Sequence, residues 1–348
     1  MGAHVFIVTT DTFPIVKNRG IAAVISEDPS KMLSEKTRAD ILADISCIRK
    51  GDRIFFYEIE YNGQYLFGNK NNPHFIKGSL IFPNRILIMP KIYLEKSINE
   101  WRNASRSAFG RFTSAIDLRS IFYKKVLGRG KSITHLFPEE ENKLTELLMK
   151  VNNGKESELM YIPYKSKKPQ PIIFDLTPTS QSEVKYEKIL EGWIIQNIDN
   201  PSANTEQFLG DIEEIECFAN YVPVSIAGGN LDIVVFHRKK DSGERYKITI
   251  IELKKGEIGK DDIEQLENYV KWAAENLTKV IAETPSKIEI DLLNKMDIVQ
   301  PVIIGKGISE SALEKCKDYS LKYSKLIVII EYDLDYKNYK INFNRLTY

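Results

Sequence analysis

Residues 228–256 read GGNLDIVVFHRKKDSGERYKITIIELKKG, two β-branched runs flanking a polar, glycine-containing turn. That pattern predicts a β-hairpin with strands near Leu231–Phe236 and Lys247–Leu253, joined through Lys239–Arg245. Side chains alternate across a strand, so Glu252 and Lys254 share one face while Ile251 and Leu253 share the other. Pairing symmetric about Ser242 sets Asp232 opposite Glu252. Two carboxylates and an ammonium then converge among largely apolar neighbours, where charge is costly to desolvate unless it pairs or binds a metal. Carboxylate oxygens suit a hard divalent ion such as Mg2+. Such an ion polarises a phosphodiester and lowers the pKa of a bound water, and a neighbouring lysine can orient that water or offset developing charge. A cross-strand ion pair between Lys254 and either acid is the plainer alternative.

Working outward, residues 182–198 carry Tyr186, Ile189, Leu190, Trp193 and Ile194 at helical spacing. Glu187 falls at the margin of that apolar face and Glu191 further from it, so Glu187 is preferred as a carboxylate facing the site, with Glu191 in reserve. Gln265 and Tyr269 stand four apart on an expected helix over Asp261–Leu277, hence on one face. Strands are expected at Val299–Gly305 and Leu326–Tyr332, with a helix at Ser309–Tyr323 between them. Strands alternating with helices predict an α/β fold, a mixed sheet flanked by helices.

The ordered set Glu187, Asp232, Glu252-Leu253-Lys254 and Gln265…Tyr269 resembles the PD-(D/E)XK nuclease superfamily, in particular its RecB-like and NucS-like members, over residues 182–348. One departure is Leu231, where the family motif often places a proline before the aspartate. The resemblance implies a restriction-endonuclease-like sheet and a Mg2+- or Mn2+-dependent endodeoxyribonuclease. By the same resemblance Asp232, Glu252 and the Leu253 carbonyl hold the metal. Lys254 positions the attacking water, Glu187 supports the metal site and Gln265 orients substrate or Lys254. DNA is then the expected partner. RNA stays open as an alternative substrate, as does a non-catalytic nucleic-acid binder on a nuclease-like scaffold. A single centre cuts one strand, so double-strand cleavage by such a protein requires two copies, as in a homodimer.

The first half is read separately. His4–Thr9, Arg53–Glu60 and Ile81–Lys91 are β-branched and aromatic, as strands are. A helix is expected from Pro138 toward Val151, with Glu139, Glu140 and Glu141 complementing its dipole. The lysine- and proline-rich PYKSKKPQP at 163–171 marks a linker, giving domains at 1–150 and 182–348 with 151–181 between. The stretches His4–Val8, Ile48–Glu58, Phe67-Gly68 and Ser132–Asn152 are similar to EVE/PUA-like domains. That likeness implies a small β-barrel-like α+β module reading modified or flipped bases, and a role in restriction or repair.

Composition bounds these expectations. With 49 Lys+Arg against 48 Asp+Glu the formal charge is +1, which by itself argues against a basic nucleic-acid footprint. The sum hides a bias. Residues 102–131 hold eight cations to one acid, Asp117, a local +7 that leaves −6 elsewhere. Arg102, Arg106, Arg111, Lys124, Lys125, Arg129 and Lys131, interleaved with aromatics, are the candidate phosphate-tracking residues of that segment. A solvated helix face is the alternative. No apolar run of membrane-spanning length occurs, and Met1–Thr10 does not resemble a secretory signal, so a cytoplasmic protein without membrane contact is expected. The three cysteines and four histidines show no zinc-like spacing. Leu127–Ser132 lacks the first glycine of a phosphate loop, which argues against an ATPase. His237 and Asp241 read as turn residues.

Overall fold

The computed structural model describes residues 2–9, 13, 21–23, 34–49, 51–59, 85–87, 133–155, 172–224, 229–277 and 296–348. The chain divides into two compact units, one of Gly2–Ile41 with Lys50–Ile173 and one of Leu42–Arg49 with Phe174–Tyr348. The division is not a single cut, because an early helical segment belongs with the C-terminal unit.

In the N-terminal unit, β1 (Ala3–Thr9) precedes the short β2 (Ile21–Ala23) and helix α1 (Glu35–Ser46), whose last turns belong to the other unit. Then come β3 (Arg53–Ile59), β4 (Arg85–Leu87), β5 (Ile133–Leu136) and α2 (Pro138–Val151). Strand β1 lies between a parallel β3 and an antiparallel β5, while β2 and β4 form a separate ladder. Among the described residues these strands form an open sheet and a two-stranded pair, and no closed barrel. Helix α2 starts where expected. Pro138 lacks the N–H that a first helical turn leaves unpaired, and Glu140 accepts a hydrogen bond from the Phe137 amide at 2.8 Å. The histidines that stand far apart in sequence meet here. The β1–β5 register pairs His4 with His135, their Nδ1 atoms are in contact, and His4 Nε2 lies 2.7 Å from Asp52 Oδ2.

In the C-terminal unit, α3 (Glu187–Gln196) and the single turn α4 (Glu206–Leu209) precede β6 (Ile215–Pro223), β7 (Asn230–Arg238) and β8 (Arg245–Leu253). The short β9 (Glu257–Ile258) leads into α5 (Lys260–Asn276). After β10 (Val299–Gly305), the short β11 (Gly307–Ile308) leads into α6 (Glu310–Tyr323), followed by β12 (Val328–Asp335) and β13 (Lys340–Leu346). Six strands form one mixed sheet in the order β13-β12-β10-β8-β7-β6. Strands β8, β10 and β12 run parallel, and β6, β7 and β13 pair antiparallel. The parallel centre is buried on both faces, which explains the apolar run Val302–Ile304 and the isoleucines Ile248, Ile250 and Ile251 around a buried Thr249. The flanking helices complete a mixed α/β architecture compatible with a restriction-endonuclease-like fold.

Strands β6 and β13 were not expected from sequence, and α3 begins at Glu187 rather than Ser182. His237 is a correction of a different kind. It is a fully buried residue of β7 whose Nε2 pairs with Thr249 Oγ1 at 2.9 Å, and it is no turn residue. Burial, then the nearby Lys247, lowers its pKa to about 3, so the imidazole is neutral.

Helix α3 is buried from Ile189 through Ile195. The helix is packed so closely that a Cβ at Gly192 would stand 2.3 Å from the Phe174 ring and 3.2 Å from the Ala43 backbone. Gly192→Ala should therefore destabilise the protein by about 1–3 kcal/mol through overpacking, outweighing the gain of about 1 kcal/mol in helix propensity. A lower urea midpoint is expected; an unchanged or higher one would show that the Phe174 ring has room to move.

Candidate active site

The hairpin register is the expected one over most of its length. Ile233 pairs with Ile251, Val234 with Ile250, and so on to His237 with Lys247. A bulge then shifts the ladder, so Arg238 meets Arg245 and the turn closes with Lys239 N donating to Glu244 O at 2.9 Å. Toward the open end, the Leu253 amide donates to Asp232 Oδ2 at 2.9 Å. This sets Asp232 against the Glu252–Leu253 stretch of β8.

Lys254 leaves the end of β8 with its amide bonded to the Ile304 carbonyl of β10 at 2.8 Å. Its Nζ donates to Glu252 Oε1 at 3.0 Å and to Gln265 Oε1 at 3.3 Å, and stands 3.1 Å from Asp262 Oδ1. Gln265 Nε2 in turn donates to the Tyr269 hydroxyl at 2.7 Å. The chain passes tightly here, since a Cβ at Gly229 would lie 2.1 Å from that hydroxyl. Helix α5 thus fixes the lysine from one side through a glutamine held by a tyrosine one turn further on.

The two glutamates of α3 have different surroundings. Glu187 is exposed at the first helical position, and its Oε1 accepts from the Lys255 amide at 3.4 Å. Glu191 is only 1% exposed, because the helix has almost no solvent margin on which a residue could lie. Its Oε1 accepts from Asn220 Nδ2 at 2.7 Å and its Oε2 accepts from Lys188 Nζ. Asn220 also donates to Asp44 Oδ1 at 2.9 Å, from the end of α1. Asp44, Lys188 and Asn220 escaped the sequence reading. Nothing local signals a contact between residues 176 positions apart.

Charge is crowded in this cluster. Burial, followed by the charges of Glu252 and Glu191, drives the Asp232 carboxyl well above the usual range, against the opposing pull of Lys188 and the Leu253 amide. Burial likewise pushes Glu252 up to about 7, with Glu187 and Asp262 adding to the shift and Lys254 only partly offsetting it. Glu252 Oε2 is buried without a hydrogen-bond partner among the described residues. An orphaned buried oxygen beside a second destabilised carboxylate fits a divalent cation. Among the described residues no three acidic, His or Cys side chains form a ready-made ligand cage. Mg2+ does not demand one, as it typically binds one or two carboxylates and keeps several waters.

Arg102, Arg106, Arg111, Lys124, Lys125, Arg129 and Lys131 lie outside the described residues. No helix among the described residues is long and apolar enough to cross a membrane.

No protein-family profile matches the chain, and no curated protein matches it. Among solved structures it is similar to EndoMS in its apo form, at 17% identity and a TM-score of 0.25, over 43% of this chain and 48% of that one. A complex of EndoMS with double-stranded DNA is similar at 19% identity and a TM-score of 0.21, over 38% of this chain and 45% of that one. The chain thus matches less than half the length of either structure.

The raised carboxyls set a pH dependence. A native state that holds protons after the unfolded chain has released them loses stability as pH rises through that interval. For Glu252 the interval runs from its ordinary value of 4.5 to about 7. In the presence of chelator, the urea midpoint should fall across this window, and Glu252→Gln, which cannot ionise, should flatten the fall. An identical pH profile for the variant would remove Glu252 as its source.

Proposed function

We propose that the chain is a metal-dependent nuclease of the PD-(D/E)XK type that hydrolyses phosphodiester bonds in DNA. The observation that carries this reading is the convergence of Asp232, Glu252 and Lys254 at the end of β8, with a buried Glu252 oxygen left without a partner. Asp232, Glu252 and the Leu253 carbonyl would hold one divalent ion. When bound, that ion polarises the scissile phosphodiester and lowers the pKa of a bound water.

The chain's own groups do the remainder. Lys254, fixed by Glu252, Asp262 and Gln265, orients the attacking water and offsets charge developing on the phosphate. Its ammonium stays charged, because the neighbouring acids outweigh the effect of burial and raise its pKa. It therefore works as a positioned cation and donor, not as a base. Gln265 holds Lys254 rather than reaching solvent on its own, since both ends of its amide are engaged. Glu187 supports the rim of the site through the Lys255 amide. The basic run at 102–131 supplies a candidate track for the nucleic-acid backbone. The N-terminal half, with its EVE/PUA-like sequence features, would supply recognition of modified or damaged bases.

The test is nicking of supercoiled plasmid by the full chain with Mg2+, Mn2+ or chelator. Asp232→Ala and Lys254→Ala should each slow cleavage at least about a hundredfold, the scale set by removal of one positioned charge or donor, with circular dichroism and DNA affinity largely kept. Variants that cut at the wild-type rate would sink the assignment. Parallel arms with RNA and with base-modified duplexes would show which nucleic acid is taken.

A further inference from the structure

We infer that Lys188 is the resident counter-cation of the acidic centre and restricts it to a single divalent ion, an inference that rests on the metal-dependent reading above. The carboxylates of this region fall into two groups, each with its own ammonium. Lys254 serves Glu252 and Asp262 at the end of β8. Lys188 serves the deeper group. It touches Glu191 directly and is held charged by Glu191, Asp232 and Asp44, whose combined effect overrides its burial.

Lys188 is built into place rather than swinging from the surface. Its side chain is only 18% exposed, and its Nζ lies 4.9 Å from the centre of the Tyr221 ring. Tyr221 adopts φ 53° within β6, a left-handed backbone that a non-glycine residue rarely takes and that tends to mark functional sites. Asn220 and Val222 pair with Ile233 and Leu231, so this kinked residue lies across the ladder from Asp232. The kinked strand thus carries both the ring that backs Lys188 and the Asn220 amide that clamps Asp44 and Glu191.

These contacts occupy Glu191 completely and engage Asp44. Both Glu191 oxygens are taken, one by Asn220 and one by Lys188. A second divalent ion would have to displace an ammonium already in contact with its ligands. One ion, at Asp232 and the unpartnered oxygen of Glu252, needs no such displacement.

The experiment measures Mn2+ binding to the full chain by the electron paramagnetic resonance signal of the free ion, in wild type, K188M, K188R, D44N and E252Q. Wild type and K188R should bind one Mn2+, and E252Q should lose it. K188M should bind about tenfold more tightly or take up a second ion, since it removes a cation beside a divalent one. D44N should bind about threefold more weakly or worse, because it removes a carboxylate from the same field. If K188M matches wild type in stoichiometry and affinity while E252Q has lost the ion, the role of Lys188 is overturned and the metal site stands. If K188M does not fold, as judged by circular dichroism, D44N decides, and unchanged affinity there overturns the inference. Wild type that binds no Mn2+, or E252Q that binds as wild type does, overturns both this inference and the reading beneath it.

Discussion

Strands β7 and β8 pair so that Asp232 and Glu252 are held beside one another, and backbone hydrogen bonding along the ladder leaves neither strand free to slip. Like charges brought together in an apolar setting cannot relax by moving apart, because a slip of one residue would exchange the two faces of β8 and turn Glu252 to the opposite side of the sheet. The carboxylates must then be compensated where they stand, by protonation, by ammonium groups or by a metal. Much of the surrounding arrangement answers that constraint. Lys254 follows directly on β8, Gln265 and Tyr269 fix it from α5, and Lys188 approaches from α3.

The position in the sheet follows from the same topology. Strand β8 is flanked by an antiparallel β7 and a parallel β10, so its carboxyl end borders both a hairpin partner and a crossover. Ligands of α/β sheets collect outside the carboxyl ends of parallel strands, where loops diverge. Here the loops after β8 and β10 stay close and pair with each other as β9 and β11. Lys306 N donates to Gly256 O at 2.9 Å and Ser309 N to Ile258 O at 3.0 Å. The two crossover helices therefore start from a joined base, which keeps Gln265 in range of Lys254.

What could be read in the sequence was what depends on period and local register. The β-branched alternation of β7 and β8 foretold their pairing, even though the bulge at His237 makes the actual turn one residue tighter than a symmetric one. Helix α2 was legible because Pro138 and the following acids mark its start. The helical wheel treated α3 as half solvated, yet it is buried on nearly every side, so Glu191 lies inside the protein and not beyond the margin of the apolar face. Strand β13 alternates Ile341 and Phe343 inward against polar neighbours, a period-two pattern legible in the sequence. Contacts such as Asp44 with Asn220 or His4 with His135 depend on tertiary closure across more than a hundred positions, and no local period encodes them.

Asp44 shows why the deeper half of the centre matters to the upper half. Desolvating a charge costs several kcal/mol even after relaxation, so a buried acid persists only where its partners are fixed. Asn220 can clamp Asp44 and Glu191 together only because the kinked β6 presents its amide between α1 and α3. Glu191 in turn holds Lys188, and Lys188 is the cation that opposes the rise in the Asp232 carboxyl pKa. Asp232 thus stands in a field set in part by residues that never touch it directly, reaching back to a helix in the first fifty residues of the chain.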